Sequence, residues 1–189
     1  MSEGRLTPPV SDNDHVAGSR DAPVTLVEYG DYECPYCGMA YPIVKAAQRA
    51  LKSKLCFVFR NFPLAESHPH ARRAAQAAEA AAAQGKFWQM HDMLYEHQDA
   101  LEDADLVAYA ESLGLDTDRF VRELEEATYA KRVRDDFRSG VRSGVNGTPT
   151  FFINGVRWDG AWADPSALVD ALRATARLGE HLMTGPDQT

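Results

Sequence analysis

The chain has 189 residues, 44% hydrophobic and 25% charged, with a formal net charge of −8, which is enough for one globular domain with a real core. The acidic balance, with no basic run against it, excludes nucleic acid and anionic membrane surfaces as natural partners, and no stretch approaches the roughly eighteen consecutive apolar residues of a membrane span. Its three cysteines are too few for a structural disulfide framework.

In chain order, residues 1–13 are polar and proline-containing and read as a flexible leader. They lack the basic and apolar regions of a secretory signal, so the expected compartment is the cytoplasm. Residues 14–18 predict a short edge strand. Residues 24–29, bounded by Pro23 and Gly30, form a nearly continuous apolar run that suits a strand buried on both faces. Glu28 interrupts it. A carboxylate is rarely buried without a task, so Glu28 is either an exposed strand-end residue or a buried acid beneath the cysteine pair that comes next in the chain.

That pair is Cys34-Pro35-Tyr36-Cys37, where the strand gives way to a helix. With Cys34 at the N-cap, unpaired backbone N–H groups and the positive end of the helix dipole favour its thiolate. Pro35 falls where a missing N–H costs nothing, and Cys37 lies one turn further in. The spacing predicts one exposed, activated sulfur and one shielded, resolving sulfur. A helix terminus contributes roughly 0.3–2 kcal/mol, so the dipole alone lowers a thiol from about 8.5 to about 7. Asp31 and Glu33 push the other way, and the expectation is a moderately acidic Cys34.

Residues 35–52 carry the motif on an amphipathic helix, and 55–59 form a second short strand in which Cys56 serves as a small buried hydrophobe. Five helical segments come after it at 71–84, 86–97, 103–113, 117–127 and 129–143, so residues 68–144 read as an all-helical block. Strand character returns at 148–153, and Asn154-Gly155 is a two-residue hairpin signal into 156–158. Residues 165–177 predict a last amphipathic helix, and 179–189 a flexible tail. His68, His70, His91 and His97 find no cysteine or paired carboxylate at a ligand spacing, so no metal is expected, and His68 is instead a candidate to line a groove. No Gly-x-Gly-x-x-Gly run suggests a nicotinamide or flavin.

The run from Leu26 through Glu28 and Asp31 to Cys34-Pro35-Tyr36-Cys37, followed after the helical block by Gly147-Thr148-Pro149-Thr150-Phe151, resembles the DsbA-like branch of thioredoxin-fold oxidoreductases, in the subgroup without signal peptides. A lone Cys-x-x-Cys also serves zinc sites. The later Thr-Pro at the head of a hairpin and an acid six residues before Cys34 make the likeness specific. It implies an α/β thioredoxin fold built from 14–67 and 145–178, with 68–144 inserted as a helical domain. It also implies Cys34 as nucleophile, Cys37 as resolving thiol, Glu28 as buried acid and Pro149 as a cis-proline facing the pair. Tyr36, Thr148 and Pro149 would contact substrate, the Thr148 main chain pairing with an extended segment.

The implied activity is thiol–disulfide exchange with protein or small-molecule thiols and disulfides. Glutathione or a thioredoxin system would be the redox partner, and no cofactor would be bound. The alternative is a chaperone or adaptor that holds unfolded chains in the same groove. The Pro-Tyr dipeptide resembles that of glutaredoxins rather than the Pro-His of strongly oxidising relatives, so the expected potential lies between about −270 mV for thioredoxin and about −120 mV for DsbA.

Overall fold

Two neighbouring strands decide the layout. β2 (Val24–Gly30) and β3 (Leu55–Asn61) run parallel, in register from Val24 opposite Leu55 to Gly30 opposite Asn61. A parallel pair needs a crossover, and α1 (Pro35–Leu51) supplies it. β4 (Thr150–Ile153) pairs antiparallel with β2, β5 (Val156–Trp158) pairs with β4, and β1 (His15–Ala17) pairs with β3, giving the order β1-β3-β2-β4-β5. The β4–β5 hairpin turns on Asn154 and Gly155, at φ 47° and 78°, the conformation that the Asn-Gly pair favours. This computed structural model describes residues 4–183.

Alternation along the strands assigns each side chain to a face. Leu26, Phe57 and Phe59 meet Val44, Ala47 and Leu51 of α1 and Leu168 and Leu172 of α7 (Pro165–Met183) in the larger core. Glu28, two residues on from Leu26, falls on this α1-facing side. Val27, Tyr29, Cys56, Val58 and Phe152 form a second core on the opposite face, which Leu6 and Val10 help to cover.

That second face corrects the expectation of a flexible leader. From Gly4 onward the leader is anchored to the sheet at several points, although most of its residues remain exposed. Arg5 bridges to Val156, Leu6 is buried, and the buried Arg60 guanidinium donates to the Pro8 and Pro9 carbonyls at 3.0 and 3.1 Å while gripping Asp14 at 2.7 and 3.0 Å. An uncovered apolar sheet face costs about 25 cal/mol per Å², and the leader's few apolar side chains close it. Residues 1–3 lie outside the described residues. At the other end α7 continues past Arg177 to Met183, so the expected tail is helical at its start; residues 184–189 lie outside the described residues.

Between β3 and β4 come α2 (Ala71–Ala82), α3 (Phe87–Glu96), α4 (Asp103–Ser112), α5 (Thr117–Glu125) and α6 (Ala130–Arg142). The alanines of α2 are nearly all buried, because small side chains let neighbouring helices approach closely. Glu79 of α2 ties the block to the sheet, accepting from Asn61 Nδ2 at 2.8 Å and meeting His15 Nε2 at 2.9 Å. Asn61 Nδ2 also reaches Asp136 of α6 at 3.2 Å. On the α1 side, His91 and Tyr95 of α3 pack against Tyr32 and Phe59, so the insertion bears directly on the loop that carries the cysteines.

Candidate active site

Cys34 takes the N-cap of α1 with extended backbone (φ −72°, ψ 122°), and Pro35 is the first helical residue. Its carbonyl accepts from the Gly38 N–H at 3.1 Å, so the sulfur stands at the open end of the helix. Both cysteines of the motif are free. The expected exposure of Cys34 is corrected: only 3% of it is accessible, against 0% of Cys37. The Thr148 carbonyl stands 3.5 Å from Cys34 Sγ. Gln98, in the loop after α3, donates Nε2 to the carbonyls of Tyr32 and Cys34 at 2.8 and 2.9 Å. A Cβ at position 38 would meet the Gln98 side-chain amide.

The Cys34 thiol is lowered to about 5. The hydrogen bond from the Cys37 thiol contributes most; burial opposes it, and the N–H groups of Cys37 and Tyr36 add to it. This lies below the value of about 7 expected from a helix dipole, because donors aimed at the sulfur act at contact distance. Cys37 moves the other way, pushed well up by burial, by its hydrogen bond to Cys34 and by the charges of Glu28 and Cys34. Its sulfur also accepts from the Asp31 N–H at 3.5 Å. At neutral pH the pair therefore holds one thiolate and one thiol.

Glu28 is 2% exposed, and its Oε1 has no hydrogen-bond partner among the described residues. Burial, followed by the charge of Cys34, raises its carboxyl to about 8, so it is a protonated acid at neutral pH. A cavity of about 80 Å³ lined by Glu28, Tyr41, Lys45, His91 and Asp92 adjoins it.

The other two acids near Cys34 behave differently. Asp31 Oδ2 accepts from the Leu64 N–H at 2.8 Å and meets His68 Nδ1 at 2.7 Å, and its Oδ1 accepts from the Glu33 N–H at 2.9 Å. Glu33 accepts from the His70 N–H at 2.6 Å and meets His70 Nδ1 at 2.8 Å, and His70 Nε2 reaches Glu102 at 3.1 Å. Local sequence places both carboxylates beside Cys34 and does not reveal their partners. Each pair spans 37 residues, because the loops leaving the parallel strands β2 and β3 run side by side, stitched by Phe62 N–H to the Gly30 carbonyl at 2.8 Å. That shared offset is the one signal by which the sequence could have disclosed them. Among the described residues no group of three or more His, Cys, Asp or Glu side chains is arranged to hold a metal.

The Thr148–Pro149 peptide is cis. A cleft of about 320 Å³ lined by Thr148, Pro149, Phe151, Trp158 and Trp162 opens beside it. Tyr36 is 60% exposed and meets Trp162 edge-on, with ring centroids 6.4 Å apart. Cys34, Cys37 and Thr148 thus come together directly, Glu28 lies on the α1-facing side of β2, and Pro149 and Tyr36 border the cleft.

The sequence model of the thioredoxin family matches residues 10–171. The chain belongs to the thioredoxin family. Among solved structures it is similar to BdbD from Bacillus subtilis in its oxidised form, with 26% identity and a TM-score of 0.76 over 92% of this chain and 94% of that one. It is similar to a thioredoxin-like oxidoreductase from Silicibacter pomeroyi, with 26% identity and a TM-score of 0.77 over 94% and 98%. In fold it matches alpha-DsbA1 from Wolbachia pipientis, with 18% identity and a TM-score of 0.80 over 96% and 100%. The fold of this thioredoxin-family chain is therefore DsbA-like.

Curated relatives include the Na(+)/H(+) antiporter NhaA 3 of Salinispora tropica, 50% identical over 184 residues, which are 96% of this chain and 28% of that protein. The antiporter NhaA 1 of Salinispora arenicola is 50% identical over 193 residues, covering 100% of this chain and 29% of that protein. The chain thus spans less than a third of the length of these two relatives.

Proposed function

We propose that this chain is a thiol–disulfide oxidoreductase that works through a mixed disulfide at Cys34. The observation that carries the reading is a helix-capping sulfur acidified to about 5, 3.5 Å from the carbonyl of Thr148, a residue that lines the cleft, and paired with a thiol pushed the other way. In the reducing direction the Cys34 thiolate attacks a substrate disulfide, forming the mixed disulfide and releasing one substrate thiolate. The Cys34 charge is then gone, and with it one of the two causes that raise Glu28. Glu28 ionises more readily and takes the Cys37 proton, and water in the adjoining cavity carries it outward. The Cys37 thiolate attacks Cys34 Sγ, releasing the second substrate thiolate and leaving the Cys34–Cys37 disulfide. The oxidising direction is the reverse.

An extended protein segment pairing with the Thr148 main chain in the cleft is the substrate this geometry favours, with Tyr36 and Trp162 against its side chains. A thiol at about 5 falls between about 7 for thioredoxin and about 3.5 for DsbA. The corresponding potential lies between about −270 and −120 mV, and glutathione or a thioredoxin system in the cytoplasm would reset the pair. In the antiporter relatives the matched segment would be a thiol-active unit beside the transporter; no helix among the described residues is long and apolar enough to cross a membrane.

Cys34→Ser is expected to abolish turnover of a model disulfide, and Cys37→Ser to accumulate a mixed disulfide visible by mass spectrometry. Turnover that survives Cys34→Ser would sink the mechanism. The chaperone reading has the exposed Tyr36 and Met39 in its favour, and suppression of aggregation by a variant lacking both cysteines would support it.

A further inference from the structure

The Pro-Tyr dipeptide between the cysteines carries no cation, and two carboxylates stand on the loop just before Cys34. On those grounds alone the thiolate is poorly supported. The fold supplies an answer from outside the motif. The Asp31 side chain is fully buried, and it pairs with His68, 18% exposed, at 2.7 Å. Asp31 is in turn tied to both cysteines: its carbonyl accepts the Cys34 N–H at 3.2 Å, and its N–H donates to Cys37 Sγ at 3.5 Å. The Leu64 N–H holds the same carboxylate oxygen as His68, so the loop after β3 and the cysteine turn are clamped at one point.

We propose that His68, clamped to Asp31, is a positioning residue for thiol exchange at Cys34, and that its imidazolium cancels the buried carboxylate that would otherwise oppose the thiolate. This rests on the oxidoreductase reading above. The groups that act on His68 are Asp31, Cys34 and Glu33. Burial alone disfavours the charged ring, but the hydrogen bond to Asp31 and the charges of Asp31, Cys34 and Glu33 outweigh it and hold the proton on His68 above the ordinary histidine range. By reciprocity the proton on His68, which the Cys34 charge helps to hold there, stabilises the Cys34 thiolate. Reducing the disulfide takes two electrons from two substrate thiols, which leave joined as a disulfide. Of their two protons one goes to Cys37 Sγ, while Cys34 stays a thiolate and the other proton goes to His68 or to water. Whatever stabilises that thiolate favours the dithiol and makes the disulfide the stronger oxidant.

The test tracks Cys34 ionisation by thiolate absorbance across pH, and the equilibrium of the pair with glutathione. His68→Gln is expected to raise the Cys34 midpoint by about one unit and to shift the glutathione equilibrium about tenfold toward the disulfide, about 30 mV for this two-electron couple. His97→Gln, at a ring that meets the Met93 carbonyl and Tyr109, should change neither. Asp31→Asn combined with His68→Gln should return the midpoint toward that of the unmodified protein, which the loss of a merely structural contact would not do. Should His68→Gln fail to fold, the unmodified protein still decides the matter: the His68 ring, monitored by NMR, must release its proton at lower pH in the disulfide form than in the dithiol form. An unchanged Cys34 midpoint in a folded His68→Gln, or a His68 titration indifferent to redox state, overturns the proposal. Both readouts are independent of turnover, so a failure of the oxidoreductase reading itself appears separately, as activity surviving Cys34→Ser.

Discussion

Three carboxylates lie close to the cysteine pair, and they divide into two kinds. Glu28 points into the larger core from β2 with one oxygen unpartnered, and burial keeps it protonated near neutral pH. Asp31 and Glu33, only a few residues along, sit where the loop after β3 delivers a histidine to each. Identical chemistry thus gives a neutral buried acid on one side of the cysteine pair and half of an ion pair on the other. What separates them is whether the fold brings a cation within reach, since a buried carboxylate without one gives up its charge.

The largest effect that would sharpen this contrast comes from Glu28→Gln. Removing the proton carrier should slow resolution of the mixed disulfide by about 10²-fold, the usual scale for a general acid–base group, as read by stopped-flow release of substrate thiol. The same variant should alter the pH dependence of stability. In the fold Glu28 keeps its proton up to about pH 8, whereas the unfolded chain gives it up near its ordinary 4.5. The fold therefore binds the extra proton, and stability falls as pH rises through that window. Glu28→Gln should remove that fall, and a denaturation series from pH 4 to 9 with an unchanged slope would break the assignment of Glu28 as the neutral acid.

Asp31→Asn comes next. It leaves the Leu64 N–H and the His68 ring beside a weaker acceptor, and should cost about 1–3 kcal/mol in chemical denaturation while lowering the His68 titration toward the ordinary histidine range. The smallest effect belongs to Glu33→Gln. His70 is more than a third exposed, and solvent screening leaves such a pair worth about 0–1 kcal/mol. A loss at Glu33 equal to that at Asp31 would erase the distinction between the buried clamp and its exposed neighbour.

Much of this was legible from local pattern. The apolar run with Glu28 inside it, the cysteine pair after it, the breaks at Gly85 and Gly114 and the Asn154-Gly155 turn each depend on a few adjacent residues, and the strands and helices stand where those signals put them. Leader packing was not legible, because Leu6 and Val10 are too few to show a pattern and matter only once β2, β3 and β4 present an apolar face. Nor was the burial of Cys34, which is set by Thr148 and Gln98, both distant in sequence. The acidity of Cys34 was underestimated for a different reason: the dipole can be read from the helix signal, but the aim of the Cys37 thiol and of the Cys37 and Tyr36 N–H groups at the sulfur is set only when the turn folds.

By itself the sequence determined the order of elements, the position of the cysteines at a helix N-terminus and the place of Glu28 inside an apolar strand, since periodicity and capping act over a single turn or a single strand; whether that acid is buried was left to the fold. Only the tertiary structure decided which charges find partners. Pairing Asp31 with His68 and Glu33 with His70 requires β2 and β3 to lie parallel and in register, so that loops 37 residues apart meet at one end of the sheet. Whether a carboxylate there is a buried acid or half of an ion pair depends on that meeting, because the cost of desolvating a charge is set by what surrounds it and not by the residue that carries it.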